Sequence, residues 1–113
     1  LISIMISYED FKKVEIKIGK IISAEKILDT DKLLLLKVDF AEESPRQVVS
    51  GIASYFPDPL SLIGIKCAFV TNLEPRIIRG YESQGMILAV GGADSPFSLL
   101  RVNEDAKEGS AIK

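Results

Sequence analysis

Apolar and polar residues alternate with period two along most of this chain, and turn residues break the alternation at short intervals. Val14-Glu15-Ile16-Lys17-Ile18 alternates cleanly, which predicts a strand with Val14, Ile16 and Ile18 facing a core. Gly19 interrupts it and the parity shifts, Lys20 outward and Ile21 inward. A glycine with a parity shift is the pattern of a β-bulge that bends a long strand around a small barrel. Leu33–Phe40 is a second strand, with Leu34, Leu36, Val38 and Phe40 on one face and Lys37 and Asp39 marking the other. Leu33 and Leu35 share that other face, so its first half needs cover from a helix, a loop or a partner. Glu42-Glu43-Ser44-Pro45 closes a hairpin into a third strand over Arg46–Ile52. Ala53–Gly64 holds Pro57 and Pro59 and is a connection with at most short helical turns. Lys66–Leu73 and Gly85–Val90 supply the fourth and fifth strands. Upstream, Ser7-Tyr8-Glu9-Asp10 has the form of a capping box and sets a short helix over Tyr8–Lys12.

Five short strands, a bulged first strand and a connection between the third and fourth predict an all-β chain built on a five-stranded OB-fold barrel, with short helices and N- and C-terminal extensions. Residues 1–6 are a leader or an edge strand, and residues 7–113 form the barrel domain with its C-terminal extension. The 113 residues allow one core and no second. An apolar fraction of 47% is high for so small a body, which leaves two readings: a dense core or a subunit interface. There is no histidine and only one cysteine, so the usual general base, triad partner and metal ligand are missing together. Cys67, within Lys66–Val70, reads as a small buried hydrophobe. Neither a catalytic residue, a metal site nor a cofactor is expected. Asp29 and Asp31 are the one acid pair an enzyme would have, and turn chemistry accounts for them. No apolar run approaches transmembrane length, and the chain reads as a soluble cytoplasmic protein with no membrane partner.

Net charge is −2, but its distribution is uneven. Lys12 to Lys37 holds seven lysines against four acids, net +3; the remainder holds seven basic and twelve acidic residues, net −5. The run from Asn72 to Ala89 places Arg76 and Arg79 in a proline-marked loop, followed by Ser83-Gln84-Gly85-Met86 leading back into a strand. Guanidinium forks match phosphate oxygens, so such a rim suits a phosphodiester backbone.

Val14–Ile21, Asp29–Asp39, Arg46–Ala53, Asn72-Leu73 and Glu82–Met86 occur in an order that resembles the tRNA-binding domain family. That family is shared by C-terminal regions of methionyl-tRNA synthetases, related synthetase cofactors and stand-alone tRNA-binding proteins. The likeness runs from about Tyr8 to the C-terminus. It implies an OB fold, no catalytic activity, dimerisation through terminal extensions, and a grip on the outer corner of folded tRNA with little sequence preference. It also implies RNA contacts at Lys32, Ser50, Asn72, Arg76, Arg79, Ser83 and Met86. Each has a structural alternative. Lys32 is otherwise a solvated charge at a strand entry, Ser50 a turn residue before Gly51, Asn72 a strand cap, and Met86 a core residue in parity with Leu88 and Val90. Ser83 and the two arginines have no packing reason to sit on a loop tip. Glu74 and Ile77 stand where the family often has lysine, which thins the basic loop. The implied function is a dimeric tRNA-recruiting subunit of a synthetase, methionyl by its wording, with the catalytic subunit as partner. A free-standing tRNA-binding protein is a close variant, and a peptide-binding chaperone related to export chaperones is the alternative of a different class.

Overall fold

The computed structural model describes residues 3–113. Helix α1 (Tyr8–Phe11) is followed by strands β1 (Ile16–Lys26), β2 (Leu34–Asp39), β3 (Arg46–Ser50), β4 (Lys66–Val70), β5 (Arg76–Ile78), β6 (Tyr81–Ser83), β7 (Met86–Ile87), β8 (Ala89–Gly92) and β9 (Ser95–Leu99). Five of them form one antiparallel sheet in the order β3-β2-β1-β4-β7; β5 pairs with β6 and β8 with β9. The architecture is the OB-like barrel that the alternation predicts. Ser7 caps α1 as expected, its Oγ accepting from the Asp10 N–H at 3.1 Å. Of the opening apolar stretch, Leu1 and Ile2 lie outside the described residues, and residues 3–7 form no strand.

β1 changes partner along its length, pairing with β4 over Ile16–Lys20 and with β2 over Lys20–Lys26. Gly19 lies beside this change of partner, at a point where the neighbouring strands pack closely. A Cβ there would lie 2.5 Å from Val38 Cγ1, 2.6 Å from Phe40 Cε1 and 2.9 Å from Phe69 Cδ1. Side chains from β2, its following residue and β4 therefore fill the space in which β1 would otherwise carry its own. The expected bulge exists, but it falls between Ile21 and Ser23, not at Gly19. The inward parity of β1 is accordingly Gly19 and Ile21, then Ala24 past the bulge. Val14, Ile16 and Ile18 do not line the main core, contrary to the alternation. Val14 is exposed and Ile16 half-buried, while Ile18 is buried outside the main cluster. The C-terminal segment lies along this part of β1: the Ile18 N–H donates to the Ser110 carbonyl, and the Gly109 and Ile112 N–H groups donate to the Ile18 and Ile16 carbonyls.

β2 follows its pattern. Leu34, Leu36 and Val38 are fully buried and Phe40 nearly so, in a core shared with Ile21, Val48, Leu62 and Phe69. On the opposite face Leu35 joins Ile27 and Val49 in a second cluster, with Leu33 and Ile78 packed against it. The cover that Leu33 and Leu35 require thus comes from the end of β1 and from β5. The proline-marked connection holds two 3-10 turns, Ala53–Tyr55 and Pro59–Leu62. Tyr55 stacks on Phe97 at 4.0 Å between ring centroids, which seats the β8–β9 hairpin on the first of these turns.

The edge strand β3 meets the segment that leads from β6 into β7, and side-chain bonds with one main-chain bond, rather than a continuous ladder, close the gap. The Val49 N–H donates to Ser83 Oγ at 2.9 Å, the Gln47 N–H to Gln84 Oε1 at 3.1 Å, and the Gln84 N–H to the Gln47 carbonyl at 2.7 Å. Gln47 Nε2 adds a bond to the Glu82 carbonyl at 2.9 Å. Ser83-Gln84 is the latch of the barrel. No helix among the described residues is long and apolar enough to cross a membrane.

Candidate nucleic-acid interface

The arginine-bearing stretch folds as a hairpin, not an open loop. Arg76 pairs with Ser83, Ile77 with Glu82 and Ile78 with Tyr81. The turn residues Arg79 and Gly80 both have positive φ, 54° and 84°, as a type I′ turn requires to match strand twist. Alternation in β5 sends Ile78 onto the second cluster and leaves Ile77 69% exposed. Packing of half-buried Ile78 against that cluster therefore sets which way the hairpin faces, and with it the placement of the two arginines.

Two adjoining concavities border the hairpin. Arg79 lines one of about 330 Å³ together with Asp29, Thr30, Asp31, Lys32 and Leu33. Arg76 lines a smaller one of about 90 Å³ with Val49, Leu73, Glu74, Ile78, Ser83, Gly85 and Met86. The fold thus brings Lys32 to Arg79, and Ser83 and Met86 to Arg76. Ser50 and Asn72 line neither. Ser50 is half-buried at the end of β3, opposite Leu34. Asn72 ties the N-terminal segment to the end of β4: Oδ1 accepts from the Glu15 N–H at 2.8 Å and Nδ2 donates to the Lys13 carbonyl at 2.7 Å. Ser83 is buried at the end of β6 rather than on a tip, and its hydroxyl also donates to the Gly85 carbonyl at 3.2 Å. Met86 is 46% exposed, and Ile87 takes the core position in β7.

Electrostatics separates cations that hold the fold from those that do not. Lys66 Nζ donates to the Glu104 and Ala106 carbonyls at 2.7 Å and pairs with Glu108 at 2.9 Å, anchoring the C-terminal segment and holding the Glu108 carboxyl below its ordinary value. Lys17 pairs with Glu15, and Lys37 donates to Gln47 Oε1. Arg46 grips Glu42 with two parallel bonds of 2.8 and 2.7 Å. Those bonds hold the Glu42 carboxyl below its ordinary value and raise the Arg46 guanidinium. Lys32, Arg76 and Arg79 are exposed, and none takes part in the five ion pairs found among the described residues. Arg46 was not singled out by sequence, because its partners are set by folding. Cys67 is fully buried, and burial pushes its thiol up to about 11. Among the described residues no three His, Cys, Asp or Glu side chains converge as metal ligands.

An OB-like barrel with two exposed arginines on a rim hairpin offers guanidinium donors to a polyanion. The family model described as "Putative tRNA binding domain" matches residues 16–111, and the chain belongs to that family. It is 48% identical over 103 residues to the methionine–tRNA ligase of Enterococcus faecalis, a match covering 91% of this chain and 15% of that enzyme. The chain spans about one sixth of the length of the curated relatives it matches, 15–16% in the first of them. Among solved structures it is similar to a MetRS-related protein of Pyrococcus horikoshii, with TM-score 0.90 and 37% identity over 98% of this chain and all of that one. It is also similar to the chaperone CsaA of Bacillus anthracis, with TM-score 0.84 and 26% identity over 97% and 100% of the two chains.

Proposed function

We propose that this domain is a non-catalytic tRNA-binding module that grips the outer corner of folded tRNA and recruits it to an aminoacyl-tRNA synthetase, methionyl by its relatives, in the cytoplasm. The observation that carries this is the set Lys32, Arg76 and Arg79, exposed cations that enter none of the ion pairs among the described residues: the two arginines lie on a hairpin seated by half-buried Ile78, and Lys32 shares a concavity with Arg79. Cations arrayed on a rigid rim recognise the spacing of phosphates, and duplex RNA offers phosphates and 2′-hydroxyls more readily than base edges. Met86 lines the concavity beside Arg76, Ser50 lies outside both concavities, and Asn72 and Ser83 keep the frame around them. The module acts as a homodimer. Tyr8, Phe11, Val14 and Ile112 leave an exposed apolar surface around a concavity of about 150 Å³ where the terminal segments meet, which suits self-association of the terminal extensions.

The test is Arg76→Ala with Arg79→Ala. The pair is expected to weaken tRNA binding and lower the salt slope by about 1.8, two phosphate equivalents at about 0.9 each. An unchanged slope removes both residues from the interface. The likeness to CsaA, together with exposed Leu73, Ile77 and Met86 beside Arg76, favours one second reading, a peptide-binding chaperone. Binding of apolar peptides with no binding of tRNA would establish it.

A further inference from the structure

Arg46 is the most connected side chain outside the proposed contact set, and its contacts share one geometric property. Nη1 donates to the Thr71 carbonyl at 2.6 Å and to the Gln84 carbonyl at 3.3 Å. Thr71 directly precedes the excursion made by residues 72–83, and Gln84 directly follows it. One nitrogen therefore grips both ends of the segment that carries Arg76 and Arg79. The rest of the guanidinium is fixed by the two bonds to Glu42 and lies 5.3 Å from the Phe40 ring. Gln84 is also a member of the latch that joins β3 to the segment leading into β7. The planar fork holds the carboxylate side-on with Nε and Nη2 while its third nitrogen faces both carbonyls, and a lysine on this backbone has a single nitrogen for both sides.

We infer that Arg46 is a positioning residue for RNA recognition, a staple across the base of the arginine hairpin that sets its orientation on the barrel without touching the ligand. This rests on the tRNA reading above. Unstapled, the excursion keeps its own β5–β6 pairing and its Ile78 contact but gains freedom at its root, so the cations meet phosphates in fewer of their orientations. Ordering a recognition element in advance strengthens binding by cutting that cost.

The experiment compares wild type, Arg46→Lys and Glu42→Gln. Amide hydrogen exchange of the free proteins is read at Val49 and Gln84, and binding of folded tRNA is titrated at several salt concentrations below the melting range. Arg46→Lys is expected to speed exchange at both amides and to weaken tRNA binding about tenfold, in the lower range of coupling between sites, with the salt slope unchanged. Glu42→Gln keeps both carbonyl bonds and is expected to fall between the two, which keeps the test decisive if Arg46→Lys does not fold. Unchanged exchange and affinity in either folded variant would overturn the proposal. In a charge-removing Arg46→Gln variant, a salt slope reduced by about one phosphate equivalent would also overturn it, by making Arg46 a direct contact. If the wild type binds no tRNA, the functional reading fails while the exchange data still decide whether the staple exists.

Discussion

Replacing Ser83 by alanine removes the acceptor of the buried Val49 N–H and the donor to the Gly85 carbonyl. Ser83 is only 5% exposed, so the orphaned amide is largely shielded from solvent. A buried donor left without a partner costs about 1–3 kcal/mol, while the methyl that replaces the hydroxymethyl forfeits little packing. Unfolding entropy of about 2.1 cal/mol/K per residue gives this chain about 0.24 kcal/mol per degree, so the melting temperature should fall by about 4–12 °C. Urea denaturation should show a lower midpoint with an unchanged m-value, since the surface exposed on unfolding is the same. Below the melting range tRNA binding should weaken less than in Arg76→Ala. A variant that melts within about a degree of wild type, yet binds tRNA as poorly as Arg76→Ala, would refute the latch and make the hydroxyl an RNA contact.

Gly19→Ala pushes a methyl into Val38, Phe40 and Phe69, and overpacking of this kind should cost about 1–3 kcal/mol by thermal denaturation; adding Val38→Ala should recover part of the loss, and simple additivity would contradict the close approach. Arg79→Gly relieves about 1–2 kcal/mol of left-handed backbone strain against about 0.5–1 kcal/mol of added chain entropy, so it should stabilise the fold slightly while weakening tRNA binding; a loss of stability would show that the guanidinium supports the fold. Glu42 and Glu15 titrate below their ordinary 4.5, the first because Arg46 binds it and the second because the Thr71 hydroxyl donates to it. Their folded values lie below their unfolded ones, so their contribution is complete above pH 4.5 and is lost as pH falls through the folded values. The melting temperature should therefore hold from neutral pH and decline below 4.5, less steeply in Glu42→Gln; an identical decline would remove Glu42 from the balance.

How far the sequence discloses this molecule depends on how local each feature is. The alternation over Leu34–Phe40 was readable because one face is buried throughout, and a register slip would turn every leucine outward. Gly19 defeated the parity rule because a glycine has no side chain to count; its inward position is filled by residues far along the chain. The β5–β6 hairpin is too short for periodicity to register, and its Arg-Gly turn lacks the Asn or Asp that normally signals a type I′ turn. The two arginines stand out by charge and neighbouring proline alone. Ser83 and Asn72 also stand out, but their hydrogen bonds run to Val49, Glu15 and Lys13, contacts that only the closed barrel creates. Arg46 is silent in the sequence for the same reason, since two of its acceptors are main-chain carbonyls on other elements.

The central claim is that the rim of this barrel reads the shape of folded tRNA. Its most direct test is a titration at two salt concentrations with folded tRNA, the same tRNA heat-unfolded, and single-stranded RNA of equal length. Tighter binding to the folded form at both salts, with a steep salt dependence, is the predicted result. Equal affinity for all three would contradict it and leave a nonspecific single-strand module; no binding to any would contradict it in favour of the peptide-binding chaperone.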